Sequence, residues 1–302
     1  MANELTTGLL VANGGLESFI LSDLILEILY DGTDLSSTML RVPWESRGGQ
    51  GISVTLDAAP AAYAAEGVEP TTVANTAYTT GELQLTPARY CRAYAATDRV
   101  AMTGAAVQLE QMAANLAKGV GMTLTDLMTA LFTGLGNTVG AVTTAVSVDT
   151  IFDAAFQLNN TSNFGRYTIV LRPQQMNDFR SSLRAESGAV QFREATYETL
   201  AARGPGYQGE WSNIDFWQSD SVPASGAGYA GCMMSFGCFA YTIADPRVIQ
   251  QGLNPSDIVV ANEVLLIEKS RDAALGVSRL IASMYPAVAE VEDARGVQVL
   301  SS

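Results

Sequence analysis

The sequence contains no histidine. That absence removes Ser-His and Cys-His nucleophile pairs and every histidine-containing metal site. Lysine is almost missing too: among 17 basic residues only Lys118 and Lys269 are lysines, and the rest are arginines. Arginine suits bidentate, partly desolvated ion pairs of the kind found at interfaces. No run of cations could track a phosphate backbone, and 31 acidic residues bring the net charge to −14, which disfavours direct wrapping by nucleic acid. The three cysteines, Cys91, Cys232 and Cys238, lack C-x-x-C spacing, so structural thiols in a reducing compartment are expected. No basic segment precedes an apolar run at the N-terminus, so no signal peptide is expected. The most apolar window, Leu16 to Tyr30, carries Glu17, Asp23 and Glu27 and is too short to span a bilayer. A soluble intracellular product with no metal and no cofactor is the expectation.

Motifs that suggest chemistry fail on context. The acidic residues show no spacing that picks out an acid/base pair. Gly204-Pro-Gly206-Tyr-Gln-Gly209 matches a dinucleotide fingerprint literally, but that fingerprint needs a strand before it and a helix after it. Here a helical stretch, ATYETLAAR, precedes and a strand, NIDFWQ, follows, so a mobile loop is expected. Trp211, Phe216 and Trp217 could stack bases, yet no basic residues accompany them and a core role fits better. Cys232 and Cys238 are expected in adjoining strands as small hydrophobes. An enzyme is not expected.

What the chain does have is one long periodic stretch, Ala101 to Leu135. Ala105, Leu109, Met112, Leu116, Val120, Leu124, Leu127, Leu131 and Leu135 recur every three or four residues and keep one stripe in phase. A single helix of about 50 Å follows from a rise of about 1.5 Å per residue. Gln108, Glu110, Gln111, Asn115, Lys118 and Asp126 fall away from the stripe. Gly119 and Gly121 predict a bend rather than a break, because the phase survives them. The mean step is too long for a sustained heptad seam.

The remaining stretches are arranged around that rod. After a patternless start, GLESFILSDLILEILYDG predicts a helix apolar on most sides, closed by Asp31-Gly32. Alternation at Gly51–Leu56, Glu82–Leu85 and Ala88–Ala95 predicts two strand-like legs enclosing a small-residue segment, 57–80, with too few large apolar side chains for a core of its own. Beyond the rod, Ser147 caps a helix, VDTIFDAAFQLNN, with Ile151, Ala155 and Leu158 on one face. Arg166–Leu171 reads as a buried strand, and Pro173 opens the helix PQQMNDFRSSLRA. Further strands are expected at Ile214–Gln218, Tyr229–Phe236 and Phe239–Ile243. Four more are expected at Val264–Lys269, Val277–Met284, Ala287–Glu292 and Val297–Leu300, with turns at Ser270–Gly276 and Asp293–Gly296.

This order resembles the HK97-type major capsid proteins of tailed double-stranded DNA bacteriophages over essentially the whole chain. AEGVEPTTVANTAYTTGELQLTPARYCRAYAATD resembles the second half of the family's E-loop and the strand into its spine helix. Residues 101–135 resemble the spine, and DTIFDAAFQLNN with RYTIVLRPQQMNDFRSSL resembles the start of the A-domain. EVLLIEKSRDAALGVSRLIASMYPAVAEVEDARGVQVLSS resembles the P-domain return and its terminal hairpin. No single motif is specific; the joint order is. The resemblance implies an α+β fold: N-terminal arm 1–45, E-loop 46–98, spine helix 99–144, A-domain 145–256 and P-domain return strands 257–302.

The resemblance further implies a virion shell protein made in the host cytoplasm. Copies would form pentamers and hexamers and enclose DNA without sequence-specific binding, with a separate scaffolding protein or none, portal and decoration proteins as candidate partners, and no membrane. An encapsulin-type nanocompartment around a protein cargo is the alternative. The candidate intersubunit contacts are Glu66, Arg89 and Arg92 in the E-loop region, Glu268, Lys269, Arg271 and Asp272 around the family's P-loop, and Gly204, Gly206 and Gly209 in the A-domain. Some family members join an E-loop lysine to an asparagine of another subunit. No lysine lies between Arg47 and Asp98, so no such bond is expected. About 40 residues precede the hairpin, fewer than a built-in scaffolding segment needs. An acidic inner wall would let packaged DNA slide rather than stick.

Overall fold

The computed structural model describes residues 35–44, 52–57, 80–97, 115–116, 119, 122–162, 166–186, 192–204, 206–246, 258–261 and 265–302. The expected N-terminal helix, the hairpin tip with Glu66, and residues 101–114 of the rod lie outside the described residues.

A 3-10 turn (Leu35–Thr38) leads into β1 (Leu40–Arg41). The two legs expected from alternation are β2 (Ile52–Asp57) and β3 (Thr80–Leu85), an antiparallel pair with Ile52 opposite Leu85 and Asp57 opposite Thr80. β4 (Tyr90–Thr97) follows. Residues 122–130 of the rod are helical and close in a 3-10 turn, Leu131–Gly134.

The rod's buried face differs from the expected leucine stripe. Leu116 and Leu135 are buried as expected, but between them Thr125, Met128, Thr129 and Phe132 take the core side, while Leu124, Leu127 and Leu131 are only half-buried. Threonine can occupy that side because its hydroxyl finds partners: Thr129 Oγ1 donates to the Ser221 carbonyl at 2.8 Å. Apolar size alone therefore misplaced the face by about one residue, roughly 100° of helical turn. Asn115 and Asp126 are exposed, as their positions off the stripe require.

Next come β5 (Thr138–Gly140), α1 (Val148–Ser162), β6 (Tyr167–Leu171), α2 (Pro173–Ala185), β7 (Arg193–Glu194) and α3 (Tyr197–Arg203). β8 (Tyr207–Trp211), β9 (Ile214–Gln218), β10 (Ala224–Ser225) and β11 (Gly228–Ser235) complete the lobe, with β17 (Gly296–Ser301) returning from the end of the chain. These strands form one eight-stranded sheet in the order β5-β17-β11-β6-β9-β8-β7, with β10 beside β11. Ser147 Oγ accepts from the Thr150 amide at 3.2 Å, the expected cap of α1, and Pro173 is the first residue of α2.

The sheet is covered on both faces, which explains why β6 and β9 read as nearly continuous apolar runs. Ile169 and Leu171 pack with Ile151 and Leu158 of α1 and Met176 and Phe179 of α2. Val170 points the other way, into a second core with Met128 and Phe132 of the rod, Trp217, Met234 and Phe239. Phe179 stacks on Phe216 with centroids 4.8 Å apart and meets Trp211 edge-on at 5.5 Å.

The remaining strands make two further sheets. β12 (Phe239–Ile243) pairs with β1 in parallel and with β16 (Pro286–Glu290) antiparallel. β13 (Ile258–Ala261), β14 (Leu265–Asp272) and β15 (Val277–Met284) pair antiparallel in sequence, and β4 closes the order β13-β14-β15-β4. The last four strands expected from the sequence all exist, but they serve three different sheets. Cys232 lies on β11, whereas Cys238 sits in the turn before β12 rather than on an adjoining strand. Both thiols are buried, and burial pushes both upward from the ordinary thiol range.

Candidate assembly surfaces

Arg89 and Arg92 lie three residues apart and engage different neighbours. Arg89 donates to Glu268 at 3.3 Å and to Ser283 Oγ at 3.1 Å, tying the start of β4 across β15 to β14. Such a half-exposed pair contributes about 0.2–1 kcal/mol. Arg92 lies over the Tyr94 ring at 5.4 Å and reaches the rod at Gly119. There it lines a cavity of about 170 Å³ with Leu116, Thr123, Ala282 and Met284.

The expected turn from Ser270 to Gly276 is narrower than its sequence suggests. β14 continues to Asp272, so Lys269 and Arg271 are strand residues, opposite Leu280 and Ser278. Asp272 Oδ1 accepts from the amides of Ala274 (3.1 Å) and Leu275 (3.4 Å) and closes a turn over 273–276. Leu275 stands 66% exposed at its tip. Glu268 is joined to Arg89 of the same chain.

Gly204, Gly206 and Gly209 do not form one loop, which corrects the expectation from the sequence. Gly204 ends α3 at φ +96°, with its amide bonded to the Leu200 carbonyl. Gly206 is buried, and its carbonyl accepts from the Gln218 amide at 2.8 Å. Gly209 lies within β8 at φ +139°, where a Cβ would come 2.1 Å from the Arg193 carbonyl. The strand register shifts between Tyr207 and Gly209. That extra residue puts Tyr207 and Trp211 on opposite faces although they are four apart.

The bulge also assembles a cluster that the sequence analysis missed. Asp215, nearly buried, accepts from Arg166 through Nε (3.0 Å) and Nη2 (2.8 Å). Arg203 Nη1 lies 2.8 Å from Asp215 Oδ1, and the Tyr207 hydroxyl donates to it at 3.3 Å. Arg203 also sits over the Tyr207 ring at 4.6 Å, and Glu210 lies 3.8 Å from Arg166. The Asp215 hydrogen bond raises Arg166, while burial and then Asp215 raise the Tyr207 hydroxyl. The one available signal was an aspartate inside the apolar strand IDFWQ. This arrangement pins the C-terminus of α3 to β9. Among the described residues, no group of three or more side chains is placed to hold a metal ion, and no helix is long and apolar enough to cross a membrane.

No protein-family model and no curated protein matches the chain. Solved structures do match, over most of its length. The capsid of Ralstonia phage GP4 is 13% identical with a TM-score of 0.61, covering 91% of this chain and 89% of the phage chain. The capsid of cyanophage P-SCSP1u is 11% identical with a TM-score of 0.61, covering 89% and 87%. The fold is that of the HK97-type capsid proteins. The same fold appears in the holo-SrpI encapsulin complex from Synechococcus elongatus PCC 7942, at 10% identity and a TM-score of 0.57, covering 88% and 85%.

Proposed function

We propose that this chain is the structural subunit of an icosahedral phage head, joining in pentamers and hexamers that enclose packaged double-stranded DNA. The observation that supports this most is likeness over 88–93% of the chain to proteins whose structures are capsids and other shells, at 9–13% identity. A β2–β3 arm without its own core fits the role, because such an arm gains cover by lying on a neighbour. The role is structural rather than catalytic, and the division at 45, 98, 144 and 256 is carried forward with it. Arg271 and Asp272 beside the exposed Leu275 tip, together with Glu66, remain the residues proposed to meet other copies. An encapsulin-type compartment is the second reading, favoured by the encapsulin among the similar structures.

Negative-stain electron microscopy after size exclusion, with absorbance at 260 and 280 nm, tests both readings. Closed shells or capsomer rings are expected, and nucleic acid inside them marks a head whereas a protein cargo marks a compartment. A monomer or dimer at high concentration, with or without a co-expressed scaffold, would overturn the shell role.

A further inference from the structure

Four exposed side chains share one face of α1: Asp149, Phe152, Asp153 and Phe156, at i, i+3, i+4 and i+7. The opposite face already supplies Ile151, Ala154 and Leu158 to the core. Phe156 is 69% exposed, and Phe152 keeps one edge on Trp211, with centroids 5.0 Å apart. The helix carries no basic residue of its own.

A second uncovered surface lies on α3. None of its seven residues is buried, and Tyr197 is 87% exposed. Seven residues are too few for a stable helix in water without packing. The Thr196 cap and the Arg203–Asp215 pair hold only its two ends. Tyr197 and Ala201 stand one turn apart on its surface, with Glu198 about 100° around the helix. Beside it on β7, Arg193 is exposed and forms no ion pair among the described residues. Arg193 pairs with Glu210, which pairs with Asp215, so Arg193 belongs to the sheet face that carries α3, and Glu194 belongs to the other.

The two surfaces lie on opposite faces of the same sheet, one acidic and aromatic, the other presenting Arg193 beside Tyr197 and a small alanine. Resting on the shell reading above, we propose that the α1 stripe of one copy seats on the α3 edge of a second copy. Phe156 lies over Ala201 beside Tyr197, and Asp153 faces Arg193. The contact is heterologous, front to back, so it repeats from copy to copy rather than ending in a two-fold pair, and it makes a ring where the rotation closes.

The test is crosslinking of the assembled full chain in a Cys91→Ser background, with Phe156→Cys and Ala201→Cys together. Oxidation is expected to give a ladder of multimers on a non-reducing gel, absent from each single variant. Shells seen by microscopy without a ladder overturn the contact while leaving the shell reading intact. Failure of the unsubstituted chain to assemble counts against the shell reading instead. Independently, Asp153→Arg is expected to lower shell yield at least several-fold without changing the melting of the dissociated subunit. Adding Arg193→Asp should restore the yield; absence of rescue overturns the pairing.

Discussion

Replacing Asp215 by asparagine keeps the side chain's size and removes the charge on which Arg166, Arg203 and Tyr207 converge. Hydrogen bonds to a charged group contribute about 1.5–3 kcal/mol each when shielded. Arg166 is 53% exposed and Arg203 36%, so water replaces part of what each loses. Discounted for that screening, each arginine accounts for roughly 0.5–1 kcal/mol, and misplacing the buried Tyr207 hydroxyl adds about 1 kcal/mol. The expected loss is therefore about 2–3 kcal/mol, read by urea denaturation of the dissociated subunit. The cost should fall when Arg203 is already methionine, because the partner that the charge served is gone. If Asp215→Asn costs less than about 0.5 kcal/mol, or costs the same with and without Arg203, the cluster is not what fastens α3 to β9.

Three further outcomes follow from the geometry. Gly209→Ala should destabilise the subunit by more than the roughly 1 kcal/mol typical of a point change, because its Cβ meets the Arg193 carbonyl; amide exchange should then rise first at β7. Burial, with help from Asp293, holds the Glu290 carboxyl above its ordinary value, so its contribution is fully present at low pH and fades as pH rises through that raised value. Glu290→Gln should accordingly raise the melting temperature at pH 7 and leave it unchanged near pH 3. With a thiol reagent, exposed Cys91 should react at once, and buried Cys232 and Cys238 only at the rate of unfolding.

Periodicity alone located most of the elements. Alternation marked β2, β3 and β4; the Ser147 cap and Pro173 marked the starts of α1 and α2; and the apolar run marked β6. These signals are local, each carried by neighbours in sequence. The short strands β1, β5, β7 and β10 were not legible, because two or three residues hold no pattern and pair only where another strand offers an edge. β8 was hidden by Gly204, Gly206 and Gly209, whose glycines serve a helix stop and a bulge that become visible only once β7 and β9 flank them.

The sequence by itself determined the order of the longer elements and the exclusion of histidine chemistry, since both rest on composition or on spacing along the chain, and the resemblance to a shell fold was carried by that order. Tertiary structure alone decided which sheet each returning strand joined. It also decided which face of the rod was buried, and that Arg166, Arg203, Tyr207 and Asp215 would meet. Those outcomes depend on partners up to about a hundred or more residues away, and in the case of Thr129 on a hydroxyl satisfied by the carbonyl of Ser221. A side chain's hydropathy does not encode the partner that lets it be buried.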